Sequence, residues 1–180
     1  MNLVLIGYRA TGKTTLARLL AEQLGWQWID ADVEIEQRAG KPIARIFAED
    51  GEPAFRDLEV RVIADLCARP RLVLAAGGGA PMRAESRQAM RAGGRVVWLQ
   101  ALPKTIHARM SGDATTASRR PSLTDKNPLD EIVHLLAQRA PIYRQTAHLA
   151  IDTEGKRPPQ IVEEILLGLK ATPDAAGDGE

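Results

Sequence analysis

The chain has 180 residues, with 24 Lys plus Arg against 23 Asp plus Glu and 44% hydrophobic residues. That hydrophobic content excludes a wholly disordered chain, and the length suits one domain with a substantial core. A net charge of +1 gives no general pull toward nucleic acid or an acidic membrane, 4% aromatic content argues against stacking platforms for single-stranded nucleic acid, and a single cysteine excludes an internal disulfide framework. No apolar run approaches the ~18 residues of a membrane span. Asn2 leads straight into a strand-like run, so no signal peptide is read there. A soluble chain in a reducing, cytoplasmic compartment is expected, with Cys67 as a small buried apolar residue.

In chain order, a compact apolar run over 3–6 ends at Gly7. A helix over 13–24 places Leu16, Leu19, Leu20 and Leu24 on one face and stops at Gly25. The run 26–29 ends at Asp30, and a shorter helix over 32–39 stops at Gly40. Pro42 opens the next helix, with Ile43, Ile46 and Phe47 on one face. Leu58, Val62, Ile63 and Leu66 mark another, ending before Pro70. The run 72–76 ends at Gly77-Gly78-Gly79, and the run 96–99 follows Gly93-Gly94. Pro103 opens a helix through Met110. Residues 111–127 are polar, rich in Thr and Arg, and without period; such a segment in a compact domain is either floppy or a functional lid. A helix over 129–138, a run over 148–151 ending at Asp152, and a helix over 159–169 follow. The tail 171–180 reads as disordered. Short apolar runs bounded by Gly or Asp are buried strands, and their alternation with helices predicts a three-layer α/β fold on a parallel sheet.

Gly7-Tyr8-Arg9-Ala10-Thr11-Gly12-Lys13-Thr14 matches the phosphate-binding loop G-x-x-x-x-G-K-[ST] between a strand and a helix. Glycines let backbone N–H groups turn toward phosphate oxygens, and the helix N-terminus adds partial positive charge. Lys13 reaches the β- and γ-phosphates, and the Thr14 hydroxyl suits Mg²⁺. A nucleoside triphosphate is therefore the expected ligand. The chain lacks the N-K-x-D motif of a GTPase and the L-S-G-G-Q loop of a transporter ATPase, and has no room for a helicase's second domain. A small phosphotransferase leads, with an NTP-driven switch or assembly ATPase as the alternative.

Asp30 and Asp32 lie at the carboxyl end of the second strand, where open α/β sheets bind ligands. One carboxylate can face Mg²⁺ and the other an acceptor hydroxyl; alternatively Asp32 caps the following helix. Gly77-Gly78-Gly79 either permits close backbone approach to a ligand or is a simple turn. Arg56 can pair with Glu59 three residues on, and both Arg56 and Arg139 are either carboxylate grips or solvated helix-face charges. Arg119-Arg120-Pro121 suits a lid carrying positive charge to a phosphoryl group, or a surface charge pair.

Taken in order, these elements resemble the shikimate kinase family from Leu3 to about Leu169. The resemblance rests on the early phosphate loop, Ile29-Asp30-Ala31-Asp32 with Glu34-Ile35-Glu36, Ile46-Phe47 with Asp50-Gly51-Glu52, and Phe55-Arg56 with Glu59. It continues with Gly77-Gly78-Gly79-Ala80, Arg120-Pro121 and Arg139-Ala140-Pro141-x-Tyr143. It implies transfer of the γ-phosphoryl of ATP to the 3-hydroxyl of shikimate, on the route to chorismate and aromatic amino acids. It implies a P-loop kinase fold whose five-stranded parallel sheet runs 2-3-1-4-5, with a mobile lid over about 111–127 inside one domain spanning 1–170. ATP would lie on Gly7, Ala10, Thr11, Gly12, Lys13, Thr14 and Thr15, with Arg109 on adenine and Arg120 arriving with the lid. Asp32 would be the base, with Lys13 and Arg120 completing the catalytic set; Asp30 would hold Mg²⁺ beside Thr14. Arg56 and Arg139 would clamp the shikimate carboxylate, and the Gly77-Gly78-Gly79 turn would line that pocket. Lys13, Arg56, Arg109, Arg120 and Arg139 would then share one cleft. A monomer binding only small molecules is expected. Two residues depart from the family pattern: Ala10, where glycine is frequent, and Ser122, where leucine is usual. Gluconate kinase is the nearest rival, being a kinase of a carboxylate-bearing polyol, and a non-catalytic P-loop protein is the second.

Overall fold

The structure, a computed structural model, describes residues 1–112 and 127–171. Its five strands are β1 (Asn2–Ile6), β2 (Gln27–Asp30), β3 (Leu72–Ala75), β4 (Gly94–Gln100) and β5 (Leu149–Asp152). All pair in parallel in the order β2-β3-β1-β4-β5, as the family resemblance implies. Leu3 stands opposite Val73 on one side and Arg95 on the other, so β1 is the centre of the sheet. The central strands β1 and β3 are buried throughout, whereas the edge strands β2 and β5 are partly exposed. Continuous apolar runs are what a strand covered on both faces requires, and the edges have less of that cover.

Alternate residues of the central strands go to opposite faces. Leu3 and Leu5, with Val73, Val97 and Leu99, pack under α1 (Lys13–Leu24) and α8 (Pro158–Ala171). Val4, Ile6, Leu74, Val96 and Trp98 meet the other helical layer. That layer contains α2 (Ala31–Ala39), α3 (Ile43–Glu49), α4 (Gly51–Cys67) and α5 (Ala84–Gly93). A smaller cluster of Tyr8, Ile106 and Ile132 joins the phosphate loop to α6 (Pro103–Ser111) and α7 (Pro128–Thr146). Cys67 is buried among apolar neighbours as expected, and burial pushes its thiol pKa up to about 12.

Several elements differ from their sequence reading. The helix read over 129–138 runs from Pro128 to Thr146, straight past Pro141. Proline usually breaks a helix by removing an N–H and crowding the preceding turn. Here the following turn buries Tyr143 and Thr146, and that packing outweighs the local penalty. Helix α5 was not expected from periodicity, because only Met90 supplies a large apolar side chain to its buried face. Strand β4 begins at Gly94 rather than Val96, since Gly94 pairs with Asn2 at the start of β1. The tail beyond Ala171 lies outside the described residues, as does most of 111–127: Ser111 closes α6, Asn127 caps α7, and 113–126 are not described.

His148, just before β5, accepts a hydrogen bond from the Val96 N–H at Nδ1, 3.0 Å. Partial burial, and the nearby Arg91 and Arg95, hold its pKa below 6.5. A histidine with a depressed folded pKa binds fewer protons folded than unfolded, so stability is full above about pH 6.5 and falls as pH drops through that value. Thermal melts taken between about pH 8 and pH 5 should show a falling midpoint, part of which disappears in His148→Gln. An unchanged pH slope in that variant would contradict the assignment.

Candidate active site

The site lies beyond the carboxyl ends of β1, β2 and β3, where the chain leaves the sheet in three loops. Residues Gly7 to Gly12 form the phosphate loop and hand over to α1. Gly7 has φ 141°, and a Cβ there would stand 2.5 Å from the Leu99 carbonyl oxygen, so only glycine fits. Ala10 takes φ 60°, the left-handed region, where a Cβ is strained by about 1–2 kcal/mol. The departure from glycine at this position therefore has a local energetic penalty. The buried Thr11 hydroxyl donates to the Tyr8 carbonyl at 2.8 Å and closes the loop. Gly12 has φ 92° at the N-cap of α1, and the first turn carries Lys13, Thr14 and Thr15 with no acidic side chain. The positive end of this helix is thus left for an anion.

Lys13 Nζ donates to the carbonyl oxygens of Gly7 and Tyr8, at 3.0 and 2.8 Å. Its charge is held over the loop it would share with phosphate oxygens. The Thr14 hydroxyl donates to Asp30 Oδ2 at 2.6 Å, and Asp30 Oδ1 accepts the Asp32 N–H at 2.9 Å. Asp30 therefore caps α2 and faces the phosphate loop at once. The capping role considered for Asp32 belongs to Asp30; Asp32 sits in the first turn of α2. The pairing of a hydroxyl and a carboxylate at the phosphate loop suits a hard divalent cation such as Mg²⁺. Among the described residues no three His, Cys, Asp or Glu cluster as a metal cage, so water and phosphate oxygens would have to complete such a shell.

Beyond β3, Gly77, Gly78 and Gly79 are buried and lead into a short 3-10 turn at Ala80–Met82. A Cβ at Gly79 would run into the Arg56 guanidinium, and one at Gly78 would lie 3.3 Å from the Gly7 carbonyl oxygen and 3.7 Å from Arg139 Nη1. The turn is thus wedged between the phosphate loop and two arginines.

Arg56, on α4, is mostly buried and pairs with Glu59 Oε2 at 2.7 Å and with Glu52 Oε1 at 3.1 Å. Burial pushes its pKa down, but Glu59 and Glu52 outweigh burial and hold it above its ordinary value. Arg139, on α7, lies over the ring of Tyr8, 5.7 Å from its centre, and Arg9 lies at the same distance. Arg109, on α6, donates to the Ala10 carbonyl at 3.3 Å. Four of the five cations expected to share one cleft therefore gather around the phosphate loop and the glycine turn. Arg120, Arg119 and Ser122 lie outside the described residues.

The roles of three residues went unread in the sequence. Tyr8 occupies a variable position of the phosphate loop, yet it is 1% exposed and faces Arg139. In the sequence Tyr143 is only the last residue of a motif, but its hydroxyl donates to the Gly78 carbonyl. Glu131 is buried on α7 near Tyr8, whose pKa is raised chiefly by burial, with Arg9 and Arg139 pulling it down and Glu131 adding a smaller push upward. An aromatic residue inside a loop of otherwise small and polar residues was the available signal for Tyr8.

The chain is similar to known proteins over nearly its whole length. The family model described as Shikimate kinase matches residues 9–170. A shikimate kinase of Rhodopirellula baltica is 44% identical over 179 residues, covering 99% of this chain and 94% of that protein. A solved shikimate kinase from Acinetobacter baumannii, in complex with shikimate, superposes with a TM-score of 0.88 at 37% identity, over 94% of this chain and 93% of that one. A gluconokinase from Sinorhizobium meliloti reaches a TM-score of 0.58 at 16% identity, over 94% of this chain and 91% of that one, a likeness of fold alone.

Proposed function

The chain belongs to the shikimate kinase family, and from that premise we propose how its own residues carry the ATP-dependent phosphorylation of shikimate. The observation that supports the reading best is the pair Arg56 and Arg139. They reach one glycine turn from two different helices, beside the loop that would hold ATP.

ATP binds with its β- and γ-phosphates in the loop Gly7–Thr14, against backbone N–H groups and the N-terminus of α1, with Thr15 on the same first turn. Lys13 exchanges its carbonyl partners for phosphate oxygens. Arg109, tied to the Ala10 carbonyl, borders the nucleotide and stacks on adenine. Thr14 and Asp30 would hold Mg²⁺, which when bound neutralises phosphate charge. Shikimate is an anion, and Arg56 and Arg139 grip its carboxylate while the Gly77-Gly78-Gly79 turn admits its ring. This orients the 3-hydroxyl toward Asp32 on the first turn of α2. Asp32 takes the hydroxyl proton as the oxygen bonds to the γ-phosphorus; the bond from that phosphorus to the bridging oxygen breaks, and ADP leaves. Arg120 adds positive charge to the transferring group. We take the chain to act as a cytoplasmic monomer, folded as one kinase domain over 1–170.

The test is a coupled ADP-release assay with shikimate, gluconate and AMP as separate acceptors. Turnover with shikimate and background rates with the other two are expected. Turnover on gluconate alone would move the chain to the rival kinase class, and ATP binding without any acceptor turnover would make it a non-catalytic P-loop protein.

A further inference from the structure

Tyr143 is fully buried, and its hydroxyl donates a 2.6 Å hydrogen bond to the Gly78 carbonyl oxygen. The bond joins residues 65 positions apart, one on α7 and one in the turn after β3. Behind it, the Tyr143 ring leans on Trp98 of β4, 5.7 Å between centres, so the sheet itself sets the height of the hydroxyl. Arg139 lies one helical turn earlier on α7. Its Nη1 is already close to Gly78, 3.7 Å from where a Cβ would stand.

A buried carbonyl deprived of its donor seeks another. The guanidinium beside Gly78 carries five N–H donors and could supply one. A guanidinium turned toward the carbonyl would be drawn out of the two-point orientation that a carboxylate needs.

We infer that Tyr143 is a positioning residue for the acceptor site: by satisfying the Gly78 carbonyl, it pins the glycine turn to α7 and keeps Arg139 free for the acceptor's carboxylate. It touches no substrate and acts through Gly78 and Arg139. The inference rests on the acceptor reading above, which the wild-type assay with shikimate tests separately.

Tyr143→Phe keeps the ring and removes only the hydroxyl. The shikimate KM should rise about tenfold, the ratio associated with one lost buried hydrogen bond, while the ATP KM and kcat stay within about twofold. A role in stability alone would lower the melting temperature and leave the shikimate KM in place. In an Arg139→Lys background the same substitution should change the shikimate KM by less than about twofold, because the guanidinium to be diverted is gone. An unchanged shikimate KM, an equal rise in both KM values, additive effects in the double variant, or a Tyr143→Phe chain that does not fold would each overturn the inference. Failure of the wild type to phosphorylate shikimate would instead remove the reading on which it stands.

Discussion

Asp32→Asn is expected to lower kcat by about two to four orders of magnitude, the usual contribution of a positioned general base. The amide is nearly isosteric but cannot take the hydroxyl proton. Its backbone N–H still donates to Asp30 Oδ1, so the start of α2 stays capped. Asp30 also still accepts from Thr14, so the phosphate loop keeps its partner. ATP affinity, measured by titration calorimetry, should therefore change by less than about threefold, within the additivity expected of a site that leaves the nucleotide contacts intact. Near-normal turnover would remove Asp32 from the role of base. A parallel loss of ATP affinity would point instead to damage at the Asp30 cap.

Arg139→Ala is expected to act on the other substrate. Truncating one partner of a desolvated charge pair costs about 2–5 kcal/mol. Arg139 is only half-buried, which places it at the lower end, about 2–3 kcal/mol or roughly 30- to 150-fold in shikimate KM. ATP KM should move far less, because Lys13, Thr14 and the loop N–H groups remain. The variant also loses the cation over the Tyr8 ring. Since Tyr8 belongs to the phosphate loop, an equal rise in both KM values would mean that Arg139 serves mainly to brace that loop.

Both effects trace back to how differently the parts of this site were legible in the sequence. The phosphate loop was readable because its chemistry is local. Gly7, Gly12, Lys13 and Thr14 all lie in one contiguous strand–loop–helix unit, and the structure forms that unit with α1 beginning at Lys13 and ending before Gly25. The pairing of Arg56 with Glu59 was likewise readable from helical spacing. Asp30 ends β2 as expected and Asp32 follows in the first turn of α2, but their division of labour is open in the sequence. Spacing alone does not say which of two carboxylates turns back to cap the helix; the Thr14 hydroxyl, 16 residues away, fixes Asp30 there.

The errors share a cause. The helix expected over 129–138 continues through Pro141 to Thr146 because burial of Tyr143 and Thr146 outweighs the local penalty of proline. Helix α5 was passed over because one methionine makes a weak apolar stripe, and its place is secured by packing onto α4 and β4.

The sequence by itself determined the class of fold, the nucleotide loop and the identity of the candidate acceptor residues, since each rests on periodicity, on a contiguous motif or on the order of motifs along the chain. Only the tertiary structure decided that Tyr8 of the phosphate loop lies under the Arg139 guanidinium, and that Tyr143 holds the Gly78 carbonyl. The reason is physical. A parallel sheet delivers distant loops to one edge, and contacts made there depend on strand order and helix packing, which no local spacing encodes.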